Sequence, residues 1–158
     1  MKLLRFEEYE HLVNEIFEKL LKEVRAILPN ARIEHIGSSS IPNSISKGDL
    51  DVFVGVPKPD LEKAVNLIKD LEFAEKENTF RSDELCMLTT NKFNYDVAIQ
   101  VVANNSDFED FIKFRNALKG DPNLVNEYNN IKFKAQNLSN TEYRKMKSQF
   151  IDFVLKGI

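Results

Sequence analysis

The chain has 158 residues, a formal net charge of −3, 42% apolar and 30% charged residues, and only five Gly and five Pro. These proportions exclude a disordered or fibrous chain and suit one globular domain with a core of its own. The mild acidity argues against nucleic acid as a partner bound through general electrostatics. No apolar run approaches the roughly 20 residues that span a bilayer, so no membrane partner is expected.

The first residues, Met1-Lys2-Leu3-Leu4-Arg5-Phe6-Glu7-Glu8, turn acidic at once and lack the apolar stretch of a signal peptide. A single cysteine cannot close an internal disulfide, which fits a cytoplasmic protein. It lies in Leu85-Cys86-Met87-Leu88 and reads as a small buried hydrophobe.

Apolar residues from Phe6 to Ile27 recur near a 3.6 period, which predicts an amphipathic helix over 6–28, ended by Pro29-Asn30. A short strand over 31–36 leads into the turn Gly37-Ser38-Ser39-Ser40. Turn chemistry continues through 41–48, and the run from Asp49 to Val56 predicts the next strand. Asp60 is placed to cap a helix over 61–71. Strands are expected over 73–80, 84–89 and 93–102, with Thr90-Asn91-Lys92 as a hairpin connection. Three helices follow. Ser106 with Glu109 gives a capping-box signature before 107–119, Asp121-Pro122 opens the second helix, and Ser139 with Glu142 opens the third. The expected fold is α/β (α+β): a mixed, mostly antiparallel sheet with flanking helices. One domain, 1–158, would combine an α/β core (1–105) with a helical subregion (106–158). Residues 107–158 hold nine Lys+Arg against seven Asp+Glu, a local +2 within an acidic chain.

One constellation carries chemistry. A glycine-serine turn lets backbone N–H groups approach oxygen anions closely, so Gly37, Ser38 and Ser39 are candidate phosphate ligands. Asp49 and Asp51 alternate along a strand and therefore share a face. A third acid, Asp96, is expected within a β-branched strand, on one face with Ala98 and Gln100. An aspartate is disfavoured there and costly to bury unpaired. A shared divalent cation would compensate, and Mg²⁺ (or Mn²⁺) takes oxygen ligands together with substrate phosphates. The expected metal and catalytic set is thus Asp49, Asp51 and Asp96, in the manner of two-metal nucleotidyl transfer. His35 reads as a structural group, His11 as exposed, and two His with one Cys make no zinc site.

This order of Gly-Ser turn, acid-x-acid pair and later strand acid resembles the nucleotidyltransferase superfamily of the DNA polymerase β type. Within it, Glu34-His35-Ile36-Gly37-Ser38-Ser39-Ser40-Ile41-Pro42 with Lys47 and Asp51 resembles the signature region of the GrpB family. So do Phe114-Arg115 with Leu118, Asp121-Pro122 with Glu127-Tyr128 and Lys132, and Tyr143, Lys147 and Phe150. The chain departs from that family's usual pattern at Asn43, at Gly48-Asp49 and at Asp96. Asp49 and Asp96 bring it nearer the catalytic superfamily. The likeness makes Lys47 and Arg115 candidate phosphate partners, while Lys132, Lys134, Lys145 and Lys147 are expected in solvent.

The implied activity is transfer of a nucleoside monophosphate from an NTP to a hydroxyl acceptor that the sequence does not identify. Two rivals stand beside it: a nucleotide or phosphometabolite binder without turnover, and a partner-binding module of the toxin–antitoxin kind.

Overall fold

A computed structural model describes residues 2–158. A 22-residue helix, α1 (Phe6–Ile27), opens the fold and buries Tyr9, Val13, Ile16, Leu20 and Val24, the stripe its periodicity predicts. Strand β1 (Arg32–Ile36) leads into a single 3₁₀ turn, Ser38–Ser40, and a loop returns the chain to β2 (Leu50–Val56). Helix α2 (Leu61–Lys69) and strands β3 (Ala74–Glu75), β4 (Leu85–Thr90) and β5 (Val97–Ala103) complete the α/β part. Helices α3 (Asp110–Lys119), α4 (Pro122–Ala135) and α5 (Asn140–Lys156) form the remainder.

The five strands lie in the order β1-β2-β5-β4-β3. The central β2–β5 pair is parallel and the other three pairs are antiparallel. The sheet is therefore mixed and mostly antiparallel, as expected. Strand β2 is buried on both faces, which is why Leu50-Asp51-Val52-Phe53-Val54 is nearly continuous in apolar residues. On one face Leu50, Val52, Val54, Val97, Ile99 and Val101 pack against α1 and α2. On the other, Phe53 and Val102 meet Ile112 of α3. The three terminal helices close a further cluster of Leu118, Val125, Tyr128, Phe150 and Val154 around Ile41, which comes from the loop after the 3₁₀ turn.

Several element boundaries differ from expectation, each for a local reason. Strand β3 is two residues long, not eight, because Glu72 and Asn78 take positive φ (68° and 57°) and bend the chain at either side. Strand β5 starts at Val97, not Phe93, because Asn94 (φ 51°) closes a turn whose N–H bonds to the Asn91 carbonyl. The Ser106 side chain caps nothing. Glu109 instead accepts from the Asn105 N–H and pairs with Arg32 at 3.0 Å, so α3 begins at Asp110 after a 3₁₀ turn. Asp60 likewise makes no side-chain cap. At Asp121 and Ser139 the sequence-predicted caps are formed, the latter as a complete capping box.

Ile41 is fully buried and is the apolar link between the turn and the helices. Ile41→Ala is expected to cost about 2–5 kcal/mol. Urea denaturation should show that loss in a single transition. Two separate transitions would mean that the helical subregion unfolds independently of the sheet.

Candidate functional site

Asp51 is the second residue of β2, paired with Ile36 on one side and Ala98 on the other. Gly37 follows Ile36 directly, so the turn rises beside the carboxylate. A Cβ added at Gly37 would stand 2.6 Å from Asp51 Oδ2, and its backbone (φ 76°, ψ −179°) lies where L residues are strained. The missing side chain at Gly37 and the methyl of Ala98 leave room for the partly buried acid. Among the described residues, no hydrogen bond or ion pair to the Asp51 carboxylate is formed. Burial, with Asp49 adding like charge, pushes the Asp51 carboxyl up to about 7, against weaker pull from Lys147 and Lys47.

Asp51 opens into a cleft of about 610 Å³ between the sheet and the terminal helices. Its polar edge comprises Gly37, Ser38, Ser46, Lys47, Asp49 and Asp51. The opposite wall is Phe111 and Phe114 of α3, Tyr128 and Lys132 of α4, and Tyr143, Lys147, Ile151 and Leu155 of α5. The α5 residues recur every four positions and so share one helical stripe.

The turn is held by hydroxyls and by the helices. Ser38 Oγ donates to Ser46 Oγ at 2.9 Å, and Ser46 Oγ also accepts from the Gly48 N–H. Asn129 of α4 grips the loop in both directions: Oδ1 accepts from the Ile45 N–H (2.8 Å) and Nδ2 donates to the Asn43 carbonyl (3.0 Å). The Tyr9 hydroxyl donates to the Ser44 carbonyl at 2.6 Å from the other side.

The expected residues do not all meet. Asp49 lines the cleft with Asp51, but Asp96 lies one residue ahead of β5 with its side chain 76% exposed. It was expected inside the strand. Standing outside it, Asp96 escapes the burial cost that such a position would carry. Lys47 Nζ sits 3.8 Å from both Asp49 and Asp96, so the two acids share an ammonium. Among the described residues, no three His, Cys, Asp or Glu side chains gather as a metal cage.

Ser38 faces the cleft, whereas Ser39 is buried and its Oγ lies 3.0 Å from His35 Nε2. His35 stacks on Phe17, and burial, with Lys119 and Arg115 nearby, drives its pKa down to about 4. Arg115 points away from the cleft. Its guanidinium pairs with Glu34 at 2.6 Å and donates to the His35 carbonyl at 2.9 Å, two residues before Gly37. Burial alone would raise the Glu34 pKa, but Arg32 and Arg115 hold it below the usual range. Arg115 thus braces the turn from behind.

Lys132 was expected in solvent and is 4% exposed. It occupies the next place on the buried stripe Val125, Tyr128, a spacing visible in the sequence that a lysine's charge obscures. Lys147 also lines the cleft, while Lys134 and Lys145 are exposed as expected.

Sheet order, helix placement and cleft together define a nucleotidyltransferase-like fold. The chain belongs to the GrpB family, whose model, GrpB protein, matches residues 4–157. A UPF0157 protein of Vibrio cholerae serotype O1 is 49% identical over 155 residues, covering 98% of this chain and 82% of that protein. The crystal structure of the conserved protein GrpB from Enterococcus faecalis superposes with a TM-score of 0.79 at 25% identity, over 99% of this chain and 96% of that one. The Cid1 poly(U) polymerase, in a MgGTP-bound structure, gives a TM-score of 0.61 at 16% identity. That match covers 82% of this chain and 43% of the polymerase, and it shows likeness of fold.

The raised Asp51 carboxyl has a signed consequence. The folded chain holds this proton up to about pH 7, whereas an unfolded aspartate releases it near the usual 3.8. Stability therefore falls as pH rises through that window and levels off above it. Asp51→Asn, which removes the charge, should raise the melting temperature most at pH 8 and little near pH 4. Thermal melts at the two pH values test this, and an equal or larger gain at pH 4 would contradict it.

Proposed function

We propose that this protein binds a nucleoside triphosphate with Mg²⁺ and transfers its nucleoside monophosphate to a hydroxyl acceptor. The observation that carries the reading is Asp51, a partly buried carboxylate beside a glycine turn, with Asp49 next to it in the same cleft. An acid placed there without a protein partner suits a hard cation, since Mg²⁺ takes carboxylate and phosphate oxygens. Asp49 and Asp51 are the residues that would hold the ion. When bound, the ion supplies charge neutralisation at the phosphates.

Gly37 permits close approach of the phosphate chain, and Ser38 beside it lines the same cleft. The first N–H groups of a 3₁₀ turn lack acceptors within it. Asp49 and Asp96 share the Lys47 ammonium in the free chain, and a triphosphate that draws it away would release both acids. Asp96 then serves as the third carboxylate or takes the acceptor's proton. Phe111, Phe114 and Tyr143 supply apolar and aromatic surface on which a base can lie.

The exposure of Asp96 favours one alternative, a nucleotide-binding protein without turnover. Calorimetry with an NTP, with and without Mg²⁺, together with a pyrophosphate-release assay, separates the two. Metal-dependent binding is expected, reduced about tenfold or more in Asp51→Asn while the variant stays folded. Asp96→Asn should bind nucleotide nearly as the parent does and release less pyrophosphate. Binding with no release from any hydroxyl acceptor would leave the binder, and no binding at all would end both readings.

A further inference from the structure

Lys132 is a group that the nucleotide reading leaves unused. Its side chain is buried, and its Nζ donates to Ser44 Oγ at 3.0 Å and to the Ile45 carbonyl, with the centre of the Tyr128 ring 3.9 Å away. An ammonium carries three N–H donors. Two oxygens and an aromatic face take all three, so the place suits the charged form, held by charge-assisted bonds and a cation–π contact. Burial and the nearby Lys147 draw the pKa down against these partners.

A buried ammonium is a costly way to fill space, and an apolar side chain of similar volume often stabilises such a place as well or better. What the lysine adds is direction, because both oxygen acceptors belong to one short segment. Ser44 and Ser46 are buried in the loop between β1 and β2. Ser46 Oγ accepts from Ser38 Oγ and from the Gly48 N–H, each at 2.9 Å. Lys47, whose ammonium Asp49 and Asp96 share, follows Ser46 directly.

We propose that Lys132 is a positioning residue: its ammonium fixes the segment Ser44-Ile45-Ser46, and through Ser46 it sets the Ser38 hydroxyl and Lys47 on the polar edge of the cleft. The Tyr9 hydroxyl holds the Ser44 carbonyl from α1, and the Leu4 backbone pairs with Ser46 through both its N–H and its carbonyl. Asn129 and Lys132 hold the same segment from α4. Lys132 is thus the charged half of a clamp that ties the polar edge to the helical wall facing it.

Lys132→Met keeps the volume and removes the charge and both hydrogen bonds to oxygen. Its melting temperature is expected to match or exceed that of the parent. Amide hydrogen exchange of the ligand-free chain, read by NMR, should quicken about tenfold or more at Ile45 and Gly48, while amides of β2 and β5 keep their rates or slow. Neither reporter is bonded to Lys132. The Ile45 N–H donates to Asn129 and the Gly48 N–H to Ser46, so their exchange reads the position of the segment. Ser44→Ala, which keeps the ammonium, should quicken the same two amides, and the double variant should add little to either single one. If Lys132→Met fails to fold, Ser44→Ala decides by the same amides. Unchanged exchange at Ile45 and Gly48, or equal quickening in β2 and β5, overturns the proposal.

The consequence for a ligand rests on the reading given under Proposed function. Calorimetry with ATP and Mg²⁺ should show binding about tenfold weaker in both variants. A loss confined to Lys132→Met means that the charge acts on the ligand directly, and it overturns the positioning role. If the parent chain binds no ATP, the nucleotide reading fails, and the exchange rates still decide whether Lys132 holds the edge.

Discussion

The site is organised around the approach of Asp51 to the backbone of Gly37. A carboxylate can stand at the second position of a central strand only if its neighbours are small. Here one neighbour has no side chain and the other, Ala98, has a methyl group. The same glycine takes a backbone conformation that turns the chain away from β1 and into the serine turn. One residue therefore sets both the space for the acid and the direction of the hydroxyl-rich loop. A side chain at position 37 would disturb both together.

The loop between β1 and β2 is long and poor in regular structure, so its shape must come from elsewhere. The terminal helices provide much of it. Asn129 satisfies a loop N–H and a loop carbonyl, as a neighbouring strand would. Lys132 adds two further contacts, and Arg115 fixes the strand end at His35. Ile41 then buries the loop's own apolar side chain among α3, α4 and α5. Buried backbone polar groups must find partners, and a helix carrying Asn and Lys on its inner face supplies them at defined heights. The helices consequently shape the polar edge of the cleft as well as the far wall.

The sheet and most helices were legible because their apolar periods are strong. The stripe of α1, the near-continuous β2 and the caps at Asp121 and Ser139 all follow local rules. The site was legible in part, since Gly37, Ser38, Lys47, Asp49 and Asp51 do share one cleft. Residues whose partners are distant in sequence were not. Arg115 reads as a surface cation until Glu34, 81 positions away, is seen beside it. Lys132 reads the same way until Ser44 appears under its amine, 88 positions away. Asp96 was misplaced for a local reason, because a single left-handed asparagine, Asn94, delays the strand that was expected to carry it.

The proposed nucleotide and metal ion would act together on the charge balance of the cleft. Lys47 pairs with Asp49 and Asp96, so its cation is already shared between two acids. Asp51 and Lys132 are both driven toward neutrality by burial, one by gaining a proton and one by losing it. Four carboxylates line the cleft, those of Asp49, Asp51, Asp110 and Asp152, and oppose an anion that arrives alone. A divalent ion alone would gain Asp49 and Asp51 but remain beside Lys47. Bound together, the ion compensates the carboxylates and the phosphates compensate the lysines, so that each lowers the cost of the other. The cleft thus places acidic and basic side chains on one surface, and the proposed pairing of a metal ion with phosphates rests on that mixture.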